Sequence, residues 1–197
     1  MSSKKRLTKS AVIAAAVDLL NAEGSDALTL NRLANELGIR TPSLYNHVDG
    51  LPGLQKDLAV LNARQLADCL GEAAIGKGAP GLFMDVAQAF RSYVKKNAGL
   101  YMATLRSSGT EERPDPDLTH EEERALKVAL AVMASLELQG EDAIHAVRAF
   151  RSVVHGFATL EVAGGFGLPQ DCDESFRRLV SALTDGLKVA NHLGKTR

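Results

Sequence analysis

An all-helical fold is predicted by three features of the sequence. Apolar residues make up 45% of the 197 positions and aromatics only 5%, a balance weighted to Ala and Leu, which favour helix over strand. Apolar positions recur every three to four residues, without strand-type alternation, internal repeats or coiled-coil heptads. Thr, Pro and Gly fall where helices start and stop. About nine helices are expected.

The elements follow in order. Thr8 can cap a first helix with Val12, Ile13, Ala16, Val17 and Leu20 on its apolar side, and Gly24 stops it. Thr29 can cap a short second helix carrying Leu30, Leu33, Ala34 and Leu37, stopped by Gly38. A third short helix starts near Thr41, with Pro42 in its first turn, where a missing N–H costs nothing. Pro52 opens a long fourth helix to about Leu70. Beyond the glycine-rich break 71–81, Leu82–Asn97 is amphipathic and Tyr101–Leu105 is a short apolar piece. A charged, turn-rich loop spans 107–118, and Thr119 with Glu122 forms a capping box for the next helix. Ala143–Ala163 and Phe176–Leu193 are the last two helices, parted by Gly164, Gly165, Gly167 and Pro169.

Composition narrows the function. No apolar run approaches the roughly 20 residues of a membrane span, so no membrane partner is expected. The N-terminus is short and basic with no secretory core behind it. Cys69 and Cys172 stand far apart in no metal or redox spacing. The cytoplasm is the expected compartment. Net charge is −1, but its distribution is uneven. Residues 1–66 hold eight Lys/Arg and six Asp/Glu, with Lys4, Lys5, Arg6 and Lys9 clustered at the start, whereas 67–197 are acidic on balance. An ordinary solvated surface accounts for that asymmetry as well as a nucleic-acid partner does.

The stretch 29–48 has the makings of a helix-turn-helix. Two closely crossing helices need a small residue at the contact, a turn that accepts left-handed backbone, and apolar inner faces. Ala34, Gly38 and Ile39 sit at the contact, turn and corner, with Leu33, Leu37, Leu44 and Val48 facing inward. The outward residues are then Arg40, Thr41, Ser43, Tyr45, Asn46 and His47, all able to donate hydrogen bonds. Such a face suits phosphates and base edges; it also suits a plain helical hairpin with a polar exterior.

From Val12 to Leu61 the chain resembles the N-terminal domain of TetR-family regulators. The resemblance is carried by "LLNAEG", by Thr29 after a Leu, by "ANELGI" and by "SLYNHV" within "TLNRLANELGIRTPSLYNHVDGLPGL". It implies a DNA-binding domain at 6–66 and an operator of double-stranded DNA, with a lean towards repression. Tyr45 and His47 would contact phosphates, Thr29 would cap the second helix, and Arg40, Thr41, Ser43 and Asn46 would lie nearest the bases. One departure stands out: where the family usually has a phosphate-binding Lys, this chain has Leu51. The helix-four N-terminus or the basic arm Lys4–Lys9 could replace that contact.

The remainder, 67–197, reads as a helical body for ligand sensing and dimerisation. Ile144, Val147, Phe150, Val153, Val154, Phe157, Ala158, Leu160 and Val162 cover more than half of one helix, and Phe176, Leu179, Val180, Leu183 and Leu187 line the other. Helices apolar on several sides are buried on several sides. A homodimer through Ala143–Ala163 and Phe176–Leu193 is therefore expected, closing a four-helix bundle. The run "RSVVHGFATLEVAGGFG" resembles the TetR C-terminal domain named for a Trp-His-Gly motif, with His155-Gly156 matching and Val154 in place of the Trp.

A small-molecule effector is implied by the family. Phe83, Phe90, Tyr93, Tyr101, Met102, Leu105, Met133 and Phe157 could line its pocket, or serve as plain core. Arg148, Arg151 and His155 share one helix face and could meet a polar or anionic ligand, pair with acids across a dimer, or remain a solvated stripe. No two of the five His residues are three or four apart, and no nucleophile elbow, phosphate loop or dinucleotide motif occurs. Neither an enzyme, a metal site nor a cofactor is expected. A helical adaptor, or an all-helical enzyme built from distant residues, is the alternative.

Overall fold

The structure is a computed structural model describing residues 7–76, 78, 81–105 and 115–194. Within these it is helical throughout: α1 (Lys9–Glu23), a 3-10 turn (Ser25–Ala27), α2 (Leu30–Glu36), a 3-10 segment (Thr41–Asn46), α3 (Gly50–Ala74), α4 (Leu82–Lys96), α5 (Ala98–Thr104), α6 (Pro116–Ala134), α7 (Gly140–Val162) and α8 (Cys172–Gly194). The basic residues Lys4–Arg6, the loop residues 107–114 and the side chain of Leu193 lie outside the described residues.

Two compact units form, one from residues within 1–63 and 97–119, the other from residues within 64–96 and 120–197. The first has a core of Val12, Ala16, Leu19 and Leu20 from α1 with Leu28, Leu33, Ala34, Leu44, Val48, Leu54 and Leu58. Thr8 and Thr29 cap α1 and α2 as the sequence predicts, accepting from the amides of Ala11 and Arg32. Gly24, at φ 83°, returns its amide to Leu20 and stops α1.

Leu100 of α5 also belongs to this core. The cause is Gly99. A side-chain carbon there would stand 1.9 Å from the Leu20 carbonyl oxygen, so only glycine lets α5 reach the end of α1. Asn21 of α1 then accepts the Leu100 amide at 3.1 Å and satisfies a first-turn donor of α5.

Several helix starts differ from expectation: α7 begins at Gly140 where Ala143 is expected, and α8 at Cys172 where Phe176 is expected. Helix α6 begins at Pro116 instead of Thr119, because Asp115 caps it through the Leu118 amide while Pro116 occupies the first position. Lys56 pairs with the same carboxylate and helps hold it below the usual carboxylate range. Helix α3 begins at Gly50, two residues before Pro52.

The second unit packs α4 against α7 and α8. Phe83 meets Phe150 edge-on at 5.0 Å, and Phe157 meets Phe176 at 5.1 Å. Arg91 of α4 is buried here, at 1% exposure. Its guanidinium lies over the rings of Phe157 and Phe176 at 5.4 and 4.9 Å. It grips Glu161 of α7 through two bonds of 2.7 and 2.6 Å and reaches Asp173 of α8 at 2.8 Å. Lys95 adds a further contact to Glu161 at 2.7 Å. Three helices thus converge on one cation.

The bonds from Arg91 hold the Glu161 carboxyl below the usual glutamate range despite the opposing effect of burial. A carboxyl whose folded pKa is depressed stabilises the fold above its unfolded pKa, and the contribution is lost as pH falls through the folded value. Glu161→Gln is expected to cost about 3 kcal/mol at pH 7, the scale for breaking a buried pair. Urea unfolding at a series of pH values checks this: the gap between wild type and variant should be constant above about pH 5 and narrow below about pH 4.

Candidate nucleic-acid interface

The surface around 29–48 is built on a corner. Helix α2 ends at Glu36, and the chain turns through Gly38 at φ 64°, a left-handed conformation suited to glycine. The amide of Ile39 donates back to the Ala34 carbonyl at 3.0 Å and closes the turn. The expected third helix is a six-residue 3-10 segment, with Pro42 in its first turn. Leu44 is its one fully buried residue, and the amides of His47 and Val48 both donate to the Leu44 carbonyl, at 2.8 and 3.0 Å. Val48 is buried beside it.

With Leu44 inward, the polar residues face out. Tyr45 is 61% exposed. Arg40 and Asn46 are exposed, and Thr41, Ser43 and His47 are partly so. Gly50, at φ 69°, lies beside the Tyr45 ring, where a side-chain carbon would make ordinary van der Waals contact at 4.0 Å. Thr29 uses its hydroxyl oxygen to accept the Arg32 amide at 3.1 Å, which leaves its hydrogen available to a phosphate. The structure therefore brings the seven sequence-predicted residues of this set onto one unit.

Two neighbours escaped sequence reading. Asn31 of α2 accepts the Thr41 hydroxyl at 2.9 Å, and Arg32 pairs with Glu23 at 2.7 Å and with Glu36 at 3.9 Å. Both are polar and outward in the first turn of α2, the only sign the sequence offers. Leu51, in place of the usual lysine, packs partly buried against the first unit's core. Lys9 of the basic arm pairs with Asp57 at 2.7 Å.

The residues proposed for an effector are distributed differently. Phe90, Tyr93 and Met133 are buried in the second unit, where the Tyr93 hydroxyl meets Gln65 at 3.4 Å. Tyr101, Met102 and Leu105 belong to the first unit, with Tyr101 buried and Met102 half exposed. Arg148 and Arg151 lie on the exposed side of α7, away from its buried stripe of Ala143, Ala146, Phe150, Val154 and Phe157. His155 is half-buried, and burial, with the nearby charge of Arg151, lowers its pKa.

Comparison with known proteins agrees with this geometry. Residues 12–47 match the family model for bacterial regulatory proteins of the tetR family, and residues 83–183 match the tetracyclin repressor-like C-terminal domain. An uncharacterized HTH-type transcriptional regulator of Mycobacterium tuberculosis is 33% identical over 97% of this chain and 86% of its own length. The chain belongs to the TetR family. It is a DNA-binding transcriptional regulator of helix-turn-helix type. Two solved structures share the fold. A TetR variant from Acinetobacter baumannii in complex with minocycline aligns with TM-score 0.69 and 24% identity, covering 94% of this chain and 98% of that one. BioQ with its double-stranded DNA operator aligns with TM-score 0.65 and 23% identity, covering 93% and 99%. Among the described residues, no helix of this TetR-family regulator is long and apolar enough to cross a membrane.

A side-chain carbon at Gly38 would meet no other atom within 4 Å, so substitution there isolates the backbone cost. Gly38→Ala is expected to destabilise the protein by roughly 1–2 kcal/mol, and Gly38→Asn by less, since Asn tolerates this conformation. Urea unfolding of the two variants checks the order.

Proposed function

We propose that this TetR-family regulator is a ligand-responsive repressor whose homodimer binds a palindromic operator and is released by a small-molecule effector. One observation carries the DNA side of the reading: burial of Leu44 leaves the polar residues Arg40, Thr41, Ser43, Tyr45, Asn46 and His47 on the outward side of the segment, with Tyr45 61% exposed. Tyr45, His47 and Thr29 suit phosphates, and Arg40, Thr41, Ser43 and Asn46 suit base edges. Residues 6–66 act as the DNA-binding domain and 67–197 as the sensing and dimerisation domain, the latter of the Trp-His-Gly kind on the strength of His155-Gly156. Operator binding places the protein with the DNA, in the cytoplasm.

A homodimer is supported by unpartnered apolar faces. After α7 and α8 have buried Phe150, Val154, Phe157, Phe176 and Val180, Leu160 remains 53% exposed and Val189 60% exposed, with Ile144, Val162 and Leu179 also open. On α8, Ser175, Leu179, Ala182, Gly186 and Val189 recur at helical spacing on the exposed side, and a side-chain carbon at Gly186 would touch nothing within 4 Å. A second copy would cover this stripe, and two reading faces about 34–36 Å apart, or a multiple, would then meet successive major grooves. The effector side draws on Phe90, Tyr93 and Met133 of the second unit, with Arg148, Arg151 and His155 for polar groups, and on minocycline being held by a TetR of this fold.

Gel-shift titration against DNA from the protein's own upstream region tests the proposal, alongside sedimentation of the free protein. Affinity should fall steeply with salt, and the free protein should sediment at twice its 21.0 kDa chain mass. Tyr45→Phe should weaken operator and unrelated DNA alike, whereas Arg40→Ala should cost about 1–3 kcal/mol on the operator alone. A monomer that binds no such DNA contradicts the proposal.

A further inference from the structure

The bond between Asn31 and Thr41 settles the hydrogen-bond polarity of one residue on the DNA-reading face. A threonine hydroxyl has one hydrogen and two lone pairs, and a free hydroxyl rotates to donate or accept as the partner requires. In this protein the Thr41 hydroxyl donates its hydrogen to the Asn31 side-chain oxygen at 2.9 Å. The bond joins α2 to the 3-10 segment across ten residues of sequence. Both ends are held. Asn31 sits in the first turn of α2, anchored by the Thr29 cap, and Thr41 is followed by Pro42, whose ring fixes the backbone.

We propose that Asn31 is a positioning residue that makes Thr41 an acceptor only, so that Thr41 selects a base presenting an amino group. In the major groove, adenine offers its N6 amino group and cytosine its N4 amino group, while guanine O6 and thymine O4 are acceptors. A hydroxyl whose hydrogen is already committed complements adenine or cytosine and is mismatched to the other two. Without Asn31 the same hydroxyl can turn its hydrogen outward and serve all four. The inference rests on the proposed placement of Thr41 at the bases.

Selection of bound sequences from a random DNA pool tests it, with wild type, Thr41→Val, Thr41→Ser, Asn31→Ala and the double variant Asn31→Ala/Thr41→Val. The position read by Thr41 is the one that Thr41→Val flattens. Wild type and Thr41→Ser should favour A or C there over G or T by about tenfold, the scale of one mismatched base. Asn31→Ala should bring that ratio close to one at this position. In the Thr41→Val background, Asn31→Ala should change nothing there, which separates polarity control from any base contact of Asn31 itself. A Thr41-dependent position that favours G or T overturns the proposal, as does a preference that survives Asn31→Ala. If wild type enriches a motif that Thr41→Val leaves intact, the DNA-reading face stands and only this inference falls. If wild type enriches no motif, the reading beneath it falls as well.

Discussion

The DNA-reading face depends on the burial of Leu44. The segment that bears it is six residues of 3-10 helix, too short and too poorly hydrogen-bonded to hold a shape in water. Its form is imposed from within: Leu44 is wholly removed from solvent among Val12, Ala16, Leu33 and Leu54, and Val48 follows it inward. At roughly 25 cal/mol per Å² of apolar surface, a fully buried leucine contributes about 2 kcal/mol, comparable to the ordering cost of one or two residues. The polar residues on either side of Leu44 are outward because Leu44 is inward. Gly38 and the Ile39–Ala34 bond set the angle at which the segment leaves α2.

Much of this was legible because it is local. Caps at Thr8 and Thr29, the turn at Gly38, and the inward set Leu33, Leu44 and Val48 follow from spacing and residue type within a few turns. What was not legible was set by partners distant in sequence. Asp115 displaces Thr119 as the cap of α6, and Lys56 binds the same carboxylate. Helix α5 joins the first unit because Gly99 has no side chain to strike Leu20, which lies 79 positions earlier. Leu51, at the position where the family usually has a phosphate-binding Lys, packs against the core. The Asn31–Thr41 bond needed the folded corner to bring its two ends together.

The second unit shows the same division. The aromatic and aliphatic stripes of α4 and α7 were readable from their period, and so was the surplus apolar surface on α7 and α8. The cation at their centre was not, because Arg91 and Glu161 are 70 residues apart. Their pairing gives a physical reason for Glu161 in the LEVAGGFG run. Glu161 and Asp173 flank the α7–α8 connection, and Arg91 holds both, so the start of α8 is fixed relative to the end of α7. The exposed stripe proposed for dimerisation lies on those same two helices.

The central claim is that one buried side chain orders the reading face, and the operator affinity of Leu44→Ala tests it most directly. Loss of a fully buried leucine costs about 2–5 kcal/mol where it packs, and Leu44 touches no DNA on this account. The account predicts that Leu44→Ala loses at least about tenfold in affinity for the operator while keeping its helical circular dichroism. Operator affinity equal to wild type in the folded variant would contradict it.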